Sequence, residues 1–262
     1  MISAIVPARN EQHLQQTVKS LLDNAEGEIE VIVILDGYWP SPPINEDPRV
    51  RQIHKGTAEG MRPGINSGVA VAQGKYLLKA DAHCLFDKGY DVKLAADIED
   101  NWVVVPRRHR LDAENWCINN EGRPPVDYMY LSKDLHGVIW NRPDRADKEI
   151  DDLMSAQGSC WFMTRDYFYD LELLDDANYG NFWLEFQEIG LKCWLSGGQV
   201  KVNKKTHYAH LHKKSRGYAM GGSQKEIAAA YVEKWREFGQ AWHKQTLPLE
   251  WLIERFGPVP TW

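Results

Sequence analysis

The feature that most limits how this chain can fold is a pair of continuous apolar runs, Ile2–Val6 and Ile29–Leu35, with a helix-spaced stretch between them. A run apolar on both faces, broken here only by Ser3 and Glu30, fits a strand in a parallel sheet covered by helices; a one-sided sheet would alternate. Between the runs, Leu14, Val18, Leu21, Leu22 and Ala25 recur at helical spacing, which predicts an amphipathic helix after a turn around Arg9 and Asn10. Pro7 is expected to break the first strand. Strand, helix and strand make a βαβ unit, and such sheets bind ligands beyond the carboxyl ends of their strands.

The pattern continues. Val50–His54 reads as a third strand, Met61–Ala72 as a helix closed by Gly74, Tyr76–Leu78 as a strand, Tyr90–Ile98 as a helix and Trp102–Pro106 as a strand. Farther on, Ser155–Thr164 reads as a strand, Tyr167–Leu171 and Phe182–Leu195 as helices, and Gln199–Val202 and His207–His212 as short strands. Ile227, Tyr231, Trp235, Phe238 and Trp242 recur at three- and four-residue intervals, giving a C-terminal amphipathic helix that packs on the core or on a second copy of the chain. The expected fold class is an α/β sandwich with a mostly parallel central sheet over residues 1–222, followed by a helical extension over 223–262. Between residues 107 and 152 the periodicity fades. That stretch is basic and aromatic, and suits either acceptor recognition or a hairpin packed on the sheet edge.

At 262 residues the chain can bury a full core. A net charge of −6 argues against coating nucleic acid by bulk charge, although the local clusters Arg107, Arg108, His109, Arg110 and Lys204, Lys205, Lys213, Lys214, Arg216 leave DNA open as a partner. Eleven Trp are either core or platforms for sugar rings and bases. The four Cys form no CxxC pair, and no segment has the roughly 20 apolar residues that cross a bilayer. A reduced cytoplasmic protein that does not enter membranes is the expectation.

Chemistry enters where the strand at Tyr76–Leu78 gives out. Asp81 and His83 follow two residues apart, and in extended chain that spacing puts both side chains on one face. A carboxylate and an imidazole there can share a divalent cation with a substrate phosphate, or can simply cap a loop. Mixed oxygen and nitrogen ligands suit Mn²⁺ better than Mg²⁺. His210 and His212 fall on one side of a later strand and can reach the same ion. Asp36, before Gly37, is either a turn residue or an acceptor of hydrogen bonds from a nucleoside. Glu185 and Glu188 share a helix face with Lys192, as an ion-pair ladder or as site carboxylates. The segment HKKSRGYAMGGSQ, residues 212–224, places Lys213, Lys214 and Arg216 among glycines, where they can fold over a diphosphate.

Taken in order, these motifs resemble one family. IVPARNE and VIVILDG are similar to the nucleotide-binding half of family 2 glycosyltransferases with the GT-A fold. EGMRPGINSGVAVAQGKYLLKADAHC (59–84), AQGSCWFMTRDYFYDL (156–171) and NFWLEFQEIGLKCWLSGG (181–198) resemble the catalytic domain of polypeptide N-acetylgalactosaminyltransferases. The resemblance implies a transferase that moves a sugar from a nucleoside-diphosphate sugar, with UDP as the expected carrier, to an acceptor hydroxyl on a glycan, a small molecule, a protein or a modified base in DNA. By position it implies that Asp81, His83 and His210 hold Mn²⁺ or Mg²⁺, and that Asp36, Asn66 and Pro7 line the nucleoside pocket. Gly158 would let the sugar approach the backbone, Glu185 and Glu188 would face sugar or acceptor, and Lys213, Lys214 and Arg216 would close over the phosphates. Two departures stand out. Glu185-Phe186 replaces the acidic pair of inverting relatives and the Glu-Asn of retaining ones, and Leu35 stands where a second Asp is expected beside Asp36. The absent membrane stem and lectin domain again point to the cytoplasm. A nucleotidyltransferase would share the sheet and metal but needs a Gly-rich, Lys-containing loop that PARNEQ lacks; a non-catalytic nucleotide-sugar binding module is the third reading.

Overall fold

A computed structural model describes residues 1–119, 121–213, 215, 218 and 222–262. In chain order the elements are β1 (Ile2–Ala8), α1 (Leu14–Asn24), β2 (Ile29–Asp36), β3 (Val50–Lys55), α2 (Met61–Val71), β4 (Tyr76–Ala80), β5 (Cys84–Phe86) and α3 (Tyr90–Ala96). They continue with β6 (Trp102–Asp112), β7 (Cys117–Asn119), β8 (Met129–Leu131), β9 (Gly137–Ile139), β10 (Ile150–Asp152), β11 (Cys160–Thr164), α4 (Arg165–Asp170) and α5 (Asp176–Tyr179). The last are α6 (Glu185–Leu195), β12 (Gln199–His210), α7 (Gly222–Glu233) and α8 (Leu249–Phe256).

The main sheet runs β10-β12-β6-β11-β4-β1-β2-β3, with β5 paired to β12 and β7 to β6. It is parallel from β4 through β1 and β2 to β3, and again between β6 and β12; β11 is antiparallel to both its neighbours. This is the expected α/β architecture around a mixed, mostly parallel sheet. The strands are continuously apolar because both faces are covered. Ile32 and Ile34 of β2 pack with Ile65 and Val69 of α2 on one face, while Val31, Val33 and Leu35 pack with Val18 and Leu21 of α1 and Leu94 of α3 on the other. Each such fully buried aliphatic side chain contributes on the order of 1.5–3 kcal/mol.

Several sequence expectations need correction. Pro7 does not break β1: its partner in β2 is Ile34, and the strand continues to Ala8. Gly74 does not cap α2, whose C-cap is Ala72 in extended conformation; glycine is needed there because a Cβ would lie 2.7 Å from the Ser3 backbone nitrogen. The strand expected from Ser155 begins only at Cys160, and the helix expected from Phe182 begins at Glu185, after Leu184 in a left-handed conformation. The two strands expected over 199–212 are one long β12 with an irregularity between Asn203 and His207. Among the described residues of 107–152, β6 extends to Asp112 and hairpins back as β7, and β8 and β9 form a separate two-stranded sheet.

The C-terminal aromatic stripe is not one helix: α7 ends at Glu233, a single 3₁₀ turn follows, and Phe238 is exposed. Trp235, Trp242, Leu252 and Phe256 are buried in the same core that covers the sheet. That core covers Trp235 and Trp242 of the stripe, while Ile227 and Phe238 stay exposed. Among the described residues no helix is long and apolar enough to cross a membrane.

Candidate active site

The carboxyl ends of β1, β2 and β4 and the end of β12 surround a cleft of about 400 Å³, lined among others by Pro7, Asp36, Asp81, His83, Gln157, His210, His212 and Lys213. Ligand pockets in proteins commonly have this size. Register explains the convergence. Asp81 and His83 lie in the turn between β4 and β5, not in extended chain as expected. β12 runs antiparallel to β5 with His210 opposite Cys84, which sets the His210 ring beside His83 despite 127 residues of separation.

His210 Nε2 lies 3.2 Å from Asp81 Oδ2 and 3.1 Å from His83 Nε2, and His83 Nε2 lies 3.8 Å from Asp81 Oδ2. One ligand atom from each residue falls within 4.8 Å of the others. Glu11, just after β1, sits with Oε2 3.2 Å from His83 Nδ1. A proton on Nδ1 donated to Glu11 leaves the Nε2 lone pair facing the cluster, the arrangement that orients metal-bound histidines. Two imidazole nitrogens and a carboxylate oxygen crowded together offer more lone pairs than protons, and a cation among them would satisfy all three. The donor set therefore fits a divalent ion, and its mixture of oxygen and nitrogen suits Mn²⁺ better than Mg²⁺.

The electrostatics agree. Burial opposes ionisation of Asp81, but Lys79 and the two histidines outweigh it and hold its carboxyl well below the usual range. Burial lowers the pKa of His210 against the pull of Asp81, which favours the neutral imidazole a metal needs. His212 is lowered to about 4 by burial, His210 and nearby arginines.

Asp36 lines the cleft, but its carboxylate accepts backbone N–H from Glu59 at 2.6 Å and from Gly60 at 3.2 and 3.3 Å, fixing the entry to α2. Pro7 and Lys213 line it as well; Lys213 Nζ lies 2.5 Å from Glu11 Oε1, and the Arg9 guanidinium stacks over Tyr218 at 4.4 Å. Lys214 and Arg216 lie outside the described residues.

Three expectations change. Asn66 does not line the cleft: its amide both donates to and accepts from the Leu174 backbone, at 2.9 and 3.1 Å, and braces that turn. Glu188 is fully buried between Arg62 and Lys192 and does not face the cleft, because helix spacing points it into the core. Glu185 is also absent from the cleft lining and meets the cluster only through Lys79, which bonds both Glu185 and Asp81. Burial pushes the Glu185 carboxyl up, with Lys79 and Trp161 opposing. Gly158 lies beside that carboxylate; a Cβ there would stand 2.4 Å from Glu185 Oε2.

Of the basic residues that left DNA open, Arg107 is paired with Asp127, Arg108 is buried against Gln157, Lys204 donates to the Arg145 carbonyl and Lys205 is paired with Asp97, while Arg110 is exposed on β6. Sequence reasoning passed over Lys79 and Glu11. Lys79 carries a signal, a single charge inside an apolar strand; Glu11 had only its place after β1.

A cleft at the carboxyl ends of an α/β sheet, with an Asp-x-His turn and a distant histidine converging beneath it, is the ligand site of an α/β protein able to hold a divalent cation. Residues 3–172 match glycosyl transferase family 2, and the chain belongs to that family. It is 25% identical over 254 residues to polypeptide N-acetylgalactosaminyltransferase 11 of Xenopus tropicalis, covering 87% of this chain and 41% of the relative. Against the human polypeptide N-acetylgalactosaminyltransferase 18 the identity is 22% over 222 residues, covering 80% and 35%. The chain thus spans less than half the length of these relatives. The crystal structure of GalNAc-T7 with UDP, GalNAc and Mn²⁺ has a TM-score of 0.73 at 16% identity, covering 97% of this chain and 56% of that one. S. aureus TarS residues 1–349 with UDP-GlcNAc gives 0.57 at 15%, covering 93% and 69%. The fold is GT-A, near that of the polypeptide N-acetylgalactosaminyltransferase catalytic domains.

Proposed function

We propose that this protein transfers a sugar from a uridine-diphosphate sugar to an acceptor hydroxyl with the help of a divalent cation, Mn²⁺ by preference. The observation that carries the reading is the meeting of Asp81, His83 and His210 at one edge of the 400 Å³ cleft. These three side chains would hold the ion, which when bound stabilises negative charge on the departing diphosphate. Glu11 orients His83, and Lys213 brings a cation to the same edge, where it complements phosphate charge. Pro7 and Asp36 shape the nucleoside end of the cleft, Asp36 by fixing the backbone at Glu59 and Gly60. Gly158 keeps the strand-end backbone low beside the sugar position. Glu185 faces Lys79 and Trp161 rather than the acceptor, so it is not assigned as a general base. The acceptor hydroxyl belongs more readily to a glycan, a protein or a small molecule than to duplex DNA, since among the described residues Arg107, Arg108, Lys204, Lys205 and Lys213 are engaged by groups of the chain itself.

Purified protein incubated with a panel of nucleotide sugars is expected to release UDP from a uridine-linked donor in the presence of Mn²⁺ and to stop on chelation. His210→Ala is expected to lower release about a hundredfold, at the upper end of what altered metal environments cost. Release indifferent to both chelation and His210→Ala would end the proposal.

A further inference from the structure

Lys79 lies on the central strand β4, 1% exposed, between the buried apolar residues Leu77, Leu78 and Ala80. Removing an ammonium from water costs several kcal/mol, and an apolar residue of similar volume serves stability as well or better. Yet the lysine is fully used. Its three N–H groups reach Asp81 Oδ1 at 2.6 Å, the Gly158 carbonyl at 2.5 Å and Glu185 Oε2 at 3.2 Å. The other oxygen of Glu185, Oε1, accepts from Trp161 Nε1 at 2.7 Å. The other oxygen of Asp81, Oδ2, is the one that faces His210 and His83. A hydrogen-bonded chain therefore runs Trp161, Glu185, Lys79, Asp81 and ends on the cluster, and a bare Gly158 lets Glu185 into it.

Resting on the reading of Asp81, His83 and His210 as metal ligands, we propose that Lys79 is a positioning residue for the metal: it engages one oxygen of Asp81 so that the other is presented to the ion, with Glu185 as its buried counter-charge. A carboxylate whose two oxygens are divided in this way binds through one of them and cannot rotate away from the histidines. The Lys79–Asp81 contact does the orienting, and Glu185 offsets the charge that Lys79 brings into the core.

The test is direct Mn²⁺ binding without donor, followed by loss of the free-ion paramagnetic resonance signal. Lys79→Met alone leaves two carboxylates without their cation, so the informative variant is Lys79→Met with Glu185→Gln, which removes one charge of each sign and keeps both volumes. It is expected to stay folded by circular dichroism and to bind Mn²⁺ about ten to a hundred times more weakly, the usual cost of losing the partner that orients a ligand. Lys79→Gln, which keeps a neutral donor beside Asp81, is expected to fall between the double variant and wild type. Glu185→Gln alone keeps the Lys79–Asp81 contact and is expected to bind nearly as wild type. Equal affinity in wild type, the double variant and Lys79→Gln overturns the role of Lys79 while leaving the metal reading intact, as does Glu185→Gln weakening binding as much as the double variant. A wild type that takes up no Mn²⁺ overturns the ligand assignment and this role with it.

Discussion

Glu188→Gln separates a structural from a catalytic carboxylate. Glu188 is 0% exposed, and its Oε1 accepts from Lys192 Nζ at 2.7 Å and from the Asp175 backbone N–H at 2.9 Å. Its Oε2 accepts from Arg62, itself 0% exposed and stacked over Tyr179 at 4.8 Å. One anion thus serves two buried cations, and removing its charge leaves both uncompensated. Breaking a buried pair in this way costs about 3–5 kcal/mol. For a domain of this size each kcal/mol moves the melting temperature about 2–4 °C, so the fall is roughly 6–20 °C. Arg62→Met is expected to cost less, because Glu188 keeps Lys192 and the Asp175 amide; it loses the donors to Glu188 Oε2 and to the Trp183 carbonyl, at about 1–3 kcal/mol. Urea unfolding of both variants gives the order, and donor release measured well below the transition should be unchanged in Glu188→Gln. A Glu188→Gln protein as stable as wild type but without turnover would refute the reasoning and return Glu188 to the active site.

Other substitutions test the packing that supports the site. Gly158→Ala drives a Cβ against Glu185 Oε2 and is expected to cost about 1–3 kcal/mol as an overpacking change, read by urea unfolding. Gly74→Ala meets backbone rather than a side chain, at Ser3, and should cost a similar amount without altering Mn²⁺ binding. Asp151 is paired with Arg145 and hydrogen-bonded by Tyr128; burial pushes its carboxyl up, but these partners prevail and hold it below the usual range. A depressed folded pKa stabilises above the unfolded carboxylate value and is lost as pH falls through the folded one, so the stability gap between wild type and Asp151→Asn should narrow below about pH 4. A gap independent of pH would show that the ion pair contributes nothing.

What could be read from the chain followed from periodicity. β1, α1 and β2 were legible because apolar residues on both faces of a strand and at every third or fourth helix position leave few alternatives. The trio Asp81, His83 and His210 was legible through the family resemblance, since the β5–β12 register that joins them has no local signature. Boundaries failed where one backbone conformation decided them. Leu184 in the left-handed region starts α6 three residues late, and helical spacing past Glu233 concealed the 3₁₀ turn that ends α7. Glu188 was misplaced because spacing gives a shared helix face but not which face meets the cleft. Lys79 was passed over because its two carboxylates lie 2 and 106 residues away.

The placing of His210 depends on a defect in the sheet. Up to Asn203, opposite Pro106, β12 pairs with β6 in step; the next partners are His207 and Arg107, four positions along β12 against one along β6. In a regular ladder His210 would lie three positions farther along β6, beyond the end of that strand. The irregularity draws it back opposite Arg110 on one side and Cys84 on the other. The bulge is held both within itself and from outside: Asn203 is fully buried and its Oδ1 accepts the Lys205 N–H at 3.0 Å, while the Thr206 hydroxyl donates to Asp87, which follows β5. Bulges near sites re-aim side chains in this way. Here the extra residues on β12 convert a strand end that would have passed the cleft into one that delivers a nitrogen 3.2 Å from Asp81.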